Sequence, residues 1–187
     1  MATGTRRDPA PAFNFSVALT AAKSKTGPGA GTVALSTAGT RSYAGFSEVT
    51  GLEMTMAVES YDAGGVNDAT LKFPSRARWS NITLKRCIVG RRDPLDDSDL
   101  WTWFNSYLEG RGERRDGLIT LLSTDGAPVH VWSFRNAIPA RWEGPGLNAG
   151  RSAVAVETLE IAHEGIRRED AGGALGAAVG AVVDAIF

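Results

Sequence analysis

Residues 44–65 read AGFSEVTGLEMTMAVESYDAGG, and the reading of this stretch decides the fold class. Leu52, Met54, Met56 and Val58 alternate with Glu53, Thr55, Ala57 and Glu59. Successive side chains of a strand point to opposite faces, so this period of two predicts a half-buried β-strand within Phe46 to Tyr61. The apolar set is expected against the core, because the other register would turn a greasy wall to water. The polar set Glu53, Thr55, Ala57 and Glu59 is then left for solvent or a neighbour. Asp62 to Asp68, DAGGVND, is small and polar and predicts a flexible turn, with a returning strand beginning over Thr70 to Phe73.

Outward from this segment, strand patterns recur. Phe13 to Leu19 alternates, and Trp79 to Val89 places Ile82, Leu84 and Arg86 in one phase. Leu118 to Leu122 and Val129 to Phe134 flank Thr124 to Ala127, where Asp125-Gly126 signals a hairpin. Arg151 to His163 reads as the last strand. Its apolar phase changes from Val154 and Val156 to Leu159 and Ile161, which predicts a bulge, or a crossing between two packed surfaces, near Glu157. One helix is predicted over Asp97 to Glu109. Asp97 or Ser98 caps it, Asp99 complements the positive end, and Gly110 stops it. Leu100, Phe104, Tyr107 and Leu108 form its apolar face. Many strands with one helix predict a mainly β protein: two packed antiparallel sheets, a β-sandwich or barrel, with a flanking helix.

The chain has 187 residues, enough for one domain with a proper core. Twenty basic and 21 acidic residues leave a formal net charge of −1, which gives no global footprint for nucleic acid or an anionic membrane. A single cysteine, Cys87, forms no internal disulfide and suits a reducing compartment; a buried, inert thiol is expected there. Neither a signal peptide nor a membrane span is read, so cytoplasmic assembly and release by another route are expected. The expected organisation is an arm over 1–12, a domain over 13–166 with an inserted loop over 22–41, and an extension over 167–187. In that extension Leu175, Val179, Val182, Val183 and Ile186 repeat at helical spacing. The stripe either docks on a partner or stays unordered, and removing it is expected to leave the domain folded.

Catalytic and metal-binding patterns fail on spacing. His130, His163 and Cys87 show no paired-ligand spacing, and the histidines read as ordinary polar positions on a sheet. The run Gly27 to Thr32 lacks the Lys-Ser/Thr that a phosphate loop needs after its second glycine. The acids at Asp93, Asp96, Asp97 and Asp99 lack the glycine and terminal glutamate of a calcium loop. Five scattered tryptophans form no basic aromatic platform and are expected in core and subunit contacts. No catalytic set, metal or cofactor is expected.

The opening stretch taken with SNITLKR (80–86), LWTWF (100–104), WSFRNAIPARWEGPGLNA (132–149) and VAVETLEIAHEGI (154–166) resembles the tube proteins of contractile tails. These belong to contractile phages and extracellular contractile injection systems; the haemolysin-coregulated protein of type VI secretion is a more distant relative by fold. The resemblance covers residues 12–166. It implies hexameric rings that stack into a rigid conduit for cargo, with sheath, baseplate or spike, and cap proteins as partners. It implies that the segment Gly51 to Gly65 is a long strand ending in a loop that reaches the adjacent ring, with Glu59, Tyr61, Asp62, Gly64, Gly65, Asn67 and Asp68 at contacts between rings or subunits. The outer helix would turn Asp99, Thr102, Asn105 and Glu109 to the sheath, and Glu53, Thr55, Ala57 and Glu59 would face the channel or a neighbour. The excursion at 22–41 and the tail exceed the compact pattern, which leaves a baseplate or cap adaptor of the same particle open. A monomeric β-barrel binding a small ligand is the alternative of another class.

Overall fold

A computed structural model describes residues 9–21, 41–43, 45–65, 67–88 and 100–169. The expectations for most of the inserted loop, for the capping residues Asp97, Ser98 and Asp99, and for the tail stripe lie outside the described residues. Among the described residues the strands are β1 (Phe15–Ala21), β2 (Arg41–Tyr43), β3 (Phe46–Thr50), β4 (Met54–Tyr61), β5 (Leu71–Trp79) and β6 (Ile82–Cys87). Helix α1 (Leu100–Leu108) follows, then β7 (Arg115–Leu122), β8 (Pro128–Glu143), β9 (Val156–Ala162) and β10 (Ile166–Glu169).

The strands pair antiparallel in the order β2-β1-β7-β8-β9-β6-β3, with β10 also on β8, while β4 and β5 pair only with each other. The 16-residue β8 serves two sheets: its first part pairs with β7 and β10, and from Ile138 onward it pairs with β9. The corner lies at Asn136, whose φ of 52° few residues other than glycine accept. Its backbone N–H donates to Asp116 Oδ1 at 2.8 Å, and its side-chain amide donates to Glu164 Oε2 at 2.7 Å. The β7–β8 register shifts beside it, between Arg115 and Gly117. A long strand bent this way carries the chain from one packed sheet into the other.

Val17, Leu19, Ile119, Phe134 and Ala137 of the first sheet pack with Ile82, Leu84, Leu159 and Ile161 of the second, and Leu100 and Trp103 of α1 complete the cluster. Leu118, Thr120, Leu122, Val131 and Ser133, on the other face of the first sheet, are buried as well. The expected architecture of two packed antiparallel sheets with one helix is therefore present. The expected Asp125-Gly126 turn joins β7 to β8, with Gly126 at φ 78°.

Several local expectations are corrected. The segment 46–61 is two strands broken at Gly51, and Trp79 to Val89 breaks at Ser80-Asn81. Gly51 sits at φ 87°, and a Cβ there would lie 2.0 Å from the Asn81 carbonyl oxygen. Only glycine fits this crossing. Strand β9 has no bulge near Glu157: Glu157, Leu159 and Ile161 are all buried in one phase, its register with β6 is continuous, and the irregularity lies on β8 between Pro139 and Arg141. A buried acid in an apolar row simulated a change of phase. Nor is β9 the last strand, since β10 follows. On α1 the buried residues are Leu100 and Trp103, whereas Leu108 is exposed. Trp103 Nε1 donates to the Glu113 carbonyl at 2.9 Å, and that partner is what lets so large a polar-tipped ring go inside. Cys87 is only half-buried. Of the tryptophans expected in core and subunit contacts, Trp103 is in the core, while Trp79 and Trp101 are exposed in the single chain.

Candidate functional site: an exposed hairpin

The apolar face of β4 does not meet the core. All eight residues of β4 are exposed, and Met54, Met56 and Val58 are 66%, 55% and 59% accessible. The expectation that Leu52, Met54, Met56 and Val58 pack inside the sandwich is therefore wrong for the single chain. Alternation shows that a strand has an apolar face; it does not show what covers that face.

The hairpin has two distinct faces. Direct pairs Met54–Trp79, Met56–Ala77 and Val58–Pro74 make one side apolar. Thr55 pairs with Arg78 and Glu59 with Phe73 on the other side, and Tyr61 pairs with Leu71 at its far end. A register shift between Met56 and Val58 increases the local twist. Lys72 Nζ donates to Ser60 Oγ at 2.6 Å, so that lysine is held along its own ladder.

The hairpin's root is fastened firmly. Ser80 N–H donates to the Glu53 carbonyl at 3.4 Å, and Ser80 Oγ to Glu53 Oε2 at 3.1 Å. His163 Nε2 lies 3.0 Å from the Ser80 carbonyl, and Gly165 N–H donates to His163 Nδ1 at 3.1 Å. With Nδ1 accepting, Nε2 carries the proton and donates to Ser80. Asn81 Nδ2 donates to Glu160 Oε1 at 2.7 Å. His163 thus has a structural post at the pivot of the hairpin, and His130 packs its ring on Trp132 at 5.7 Å.

Glu59 and Tyr61 end β4, and Asp62, Gly64, Gly65, Asn67 and Asp68 form the exposed tip, with Gly65 at φ 88°. Glu53, Thr55, Ala57 and Glu59 are exposed too, although Glu53 is engaged at the root. On α1, Thr102 and Asn105 are half-buried and Glu109, just past its end, is exposed. Asn105 donates to Glu109 Oε1 at 2.7 Å, and Glu109 also pairs with Arg111. Asp99 lies outside the described residues. Sequence reasoning missed the exposed apolar residues of the return strand, Leu71, Phe73 and Trp79, and those at Ile88 and Leu147. Among the described residues no group of three or more His, Cys, Asp or Glu is placed to hold a metal ion, and no helix is long and apolar enough to cross a membrane.

The described site is an exposed hairpin with one apolar side, joined at its root to a two-sheet body. A family model for the T4-like virus tail tube protein gp19 matches residues 11–167. The chain belongs to that family, a family of structural tube proteins. Among solved structures, a chain of the anti-feeding prophage baseplate is 22% identical with a TM-score of 0.69, covering 90% of this chain and 100% of that one. A chain of the sheath–tube complex of an extracellular contractile injection system, PVC, is 22% identical with a TM-score of 0.62, covering 86% and 91%. A chain of the anti-feeding prophage tube-terminating cap is 20% identical with a TM-score of 0.64, covering 90% and 99%. At these identities the likenesses establish the fold. Comparison with curated protein sequences gives no match.

Proposed function

We propose that this chain is the inner tube subunit of a contractile injection particle or phage tail, that it closes into six-membered rings which stack into a conduit, and that it catalyses no reaction. The observation that carries the reading is the β4–β5 hairpin, which stands off the core with its apolar face in water. A lone two-stranded hairpin is marginal in water. Burying side chains such as Met54, Met56 and Val58 stabilises by about 1.5–3 kcal/mol each, which neighbouring copies would supply. The polar set Thr55, Ala57 and Glu59, with Glu53 at the root, then faces the bore or the adjoining copy. The tip, Tyr61 to Asp68, reaches the adjacent ring. Thr102, Asn105 and Glu109 face the sheath.

The partners in this reading are further copies of the chain, the sheath, the baseplate and spike, the cap, and the cargo within the lumen. The particle assembles in the cytoplasm and leaves as a whole. Native mass spectrometry of the purified chain tests ring closure: the principal species is expected at six times the 19.8 kDa subunit. A chain that stays at subunit mass up to high concentration sinks it. The likeness to baseplate and cap chains supports a second reading, an adaptor of the same particle. Copy number per particle separates the two, since a tube subunit is present in many rings and an adaptor in one or two.

A further inference from the structure

We propose that the face of the first sheet turned away from the core is a docking surface for this chain's own C-terminal segment, residues 174–187, seated on it as a helix. Direct pairing puts Leu118 with Ser133 and Thr120 with Val131 on that face, and Leu122 lies in phase with them along β7. All five are buried, Val131 completely. None belongs to the cluster between the two sheets, which takes Ile119 and Phe134 from the opposite face. Something other than that core therefore shields them. Ser16, Ala18 and Thr20 of β1, on the same face, are only half-buried. The cover thus lies over β7 and β8 and thins toward β1.

Strand β10 delivers the chain to this place. Its last residue, Glu169, pairs with Val131, and Ser133 Oγ donates to Glu169 Oε1 at 2.7 Å, so the strand ends beside the most deeply buried part of the face. Residues 170–187 follow, and Gly172-Gly173 suits the reversal needed to lie back over the sheet. On a helix, Leu175, Val179, Val182, Val183 and Ile186 then share one side, and the lone charge, Asp184, takes the other. From Leu175 to Ile186 such a helix is about 18 Å long at roughly 1.5 Å per residue, against about 13 Å from Leu118 to Leu122 at roughly 3.3 Å. Gly176 and Gly180 weaken it in isolation, so the sheet is what would hold it.

The other segments outside the described residues do not suit this face. Residues 1–8 hold Met1 as their one large apolar side chain, and 89–99 set Val89 and Leu95 among two arginines and four aspartates. The excursion 22–40 leaves β1 at Ala21, opposite Arg115 and at the far end of β7 from Leu122, and its large apolar residues are Val33 and Leu35. The family model stops at residue 167, so the occupant lies beyond the part this chain shares with that model. Seating of the tail is a property of the lone subunit and does not depend on ring closure.

The test places one cysteine on the face, Thr120→Cys or Ser133→Cys, in a Cys87→Ser background, and follows its alkylation by a maleimide in the dilute full chain. With the tail unsubstituted the thiol is expected to react slowly. Val179→Asp with Val183→Asp is expected to speed the reaction by about tenfold or more, with the far-ultraviolet circular dichroism of a β protein retained, while Val179→Leu with Val183→Leu keeps it slow. A thiol that reacts fast in the unsubstituted chain, or equally slowly with both tails, overturns the docking. Ser133→Cys with Val179→Cys, oxidised by copper–phenanthroline, then identifies the donor of the tail. An internal disulfide at subunit mass is expected. Disulfide-linked dimers without it assign the face to the tail of a second copy and overturn the proposal.

Discussion

Glu157 is the residue whose surroundings differ most from what its type suggests. It is buried, Arg86 Nε and Nη2 donate to its Oε1 at 2.9 and 2.6 Å, and Trp142 Nε1 donates to its Oε2 at 3.0 Å. Trp142 in turn meets Trp101 edge-on at 4.6 Å, so one carboxylate ties β6, β8, β9 and α1 together. Removing one partner of such a pair strands the other charge, and Glu157→Ala is expected to cost about 3–5 kcal/mol in denaturant unfolding. The two glycines of the hairpin segment behave oppositely. Gly51→Ala is strained and blocked by Asn81, and should destabilise by more than about 1 kcal/mol, whereas a Cβ at Gly64 meets nothing and Gly64→Ala should be close to neutral. Tyr107 offers a pH test. Its hydroxyl is shut from solvent with no hydrogen-bond partner among the described residues, and desolvation raises its pKa above 10.0, opposed by Arg114 and Arg115. The folded state then holds the proton that the unfolded state releases, so this stability is complete below pH 10 and is lost as pH rises through the raised value. Tyr107→Phe should flatten that alkaline loss without weakening the fold at neutral pH, as read by denaturant midpoints across pH. From the sequence the Arg86 phase was legible and the Glu157 burial was not, because the pairing that permits it joins residues 71 positions apart.

At the scale of elements, the β4–β5 hairpin separates what periodicity can and cannot tell. The strand at Met54 to Tyr61 was legible from its alternation, as was the turn at Asp62 to Asp68 from its small polar residues. The covering of the apolar face was not, since a core and an interface select the same side chains. Hydrogen exchange tests this directly. Amides of β4 and β5 are expected to exchange fast in the dilute subunit and to become protected on assembly, while β7 and β8 remain protected throughout. Equal protection in both states would mean that the hairpin has no partner. Valine at both Gly64 and Gly65 is expected to leave the subunit folded and to block stacking, because Gly65 needs its φ of 88°. Long tubes from that double variant would remove the tip from the contact. The helix gave a similar lesson: its extent to Leu108 was readable, but Trp103 went unassigned because its inward turn depends on the Glu113 carbonyl beyond the helix.

For the whole molecule, the two-sheet class followed from the number of alternating segments against one amphipathic run. The corner in β8 did not, because it depends on Asn136 at positive φ and on Asp116 and Glu164 brought from two other segments. Family membership fixes the kind of protein, and in the proposed reading the hairpin bare of its own core is what a neighbouring copy would cover. Bury that hairpin against copies and the exposed apolar row becomes the join of a ring; leave it bare and it is a liability for uncontrolled pairing. Electron microscopy of the purified full chain, imaged from dilute to concentrated, tests this most directly. Six-fold rings are predicted, with Met54, Met56 and Val58 covered by a neighbouring copy. A monodisperse monomer at every concentration, with those side chains still open to solvent, would contradict it.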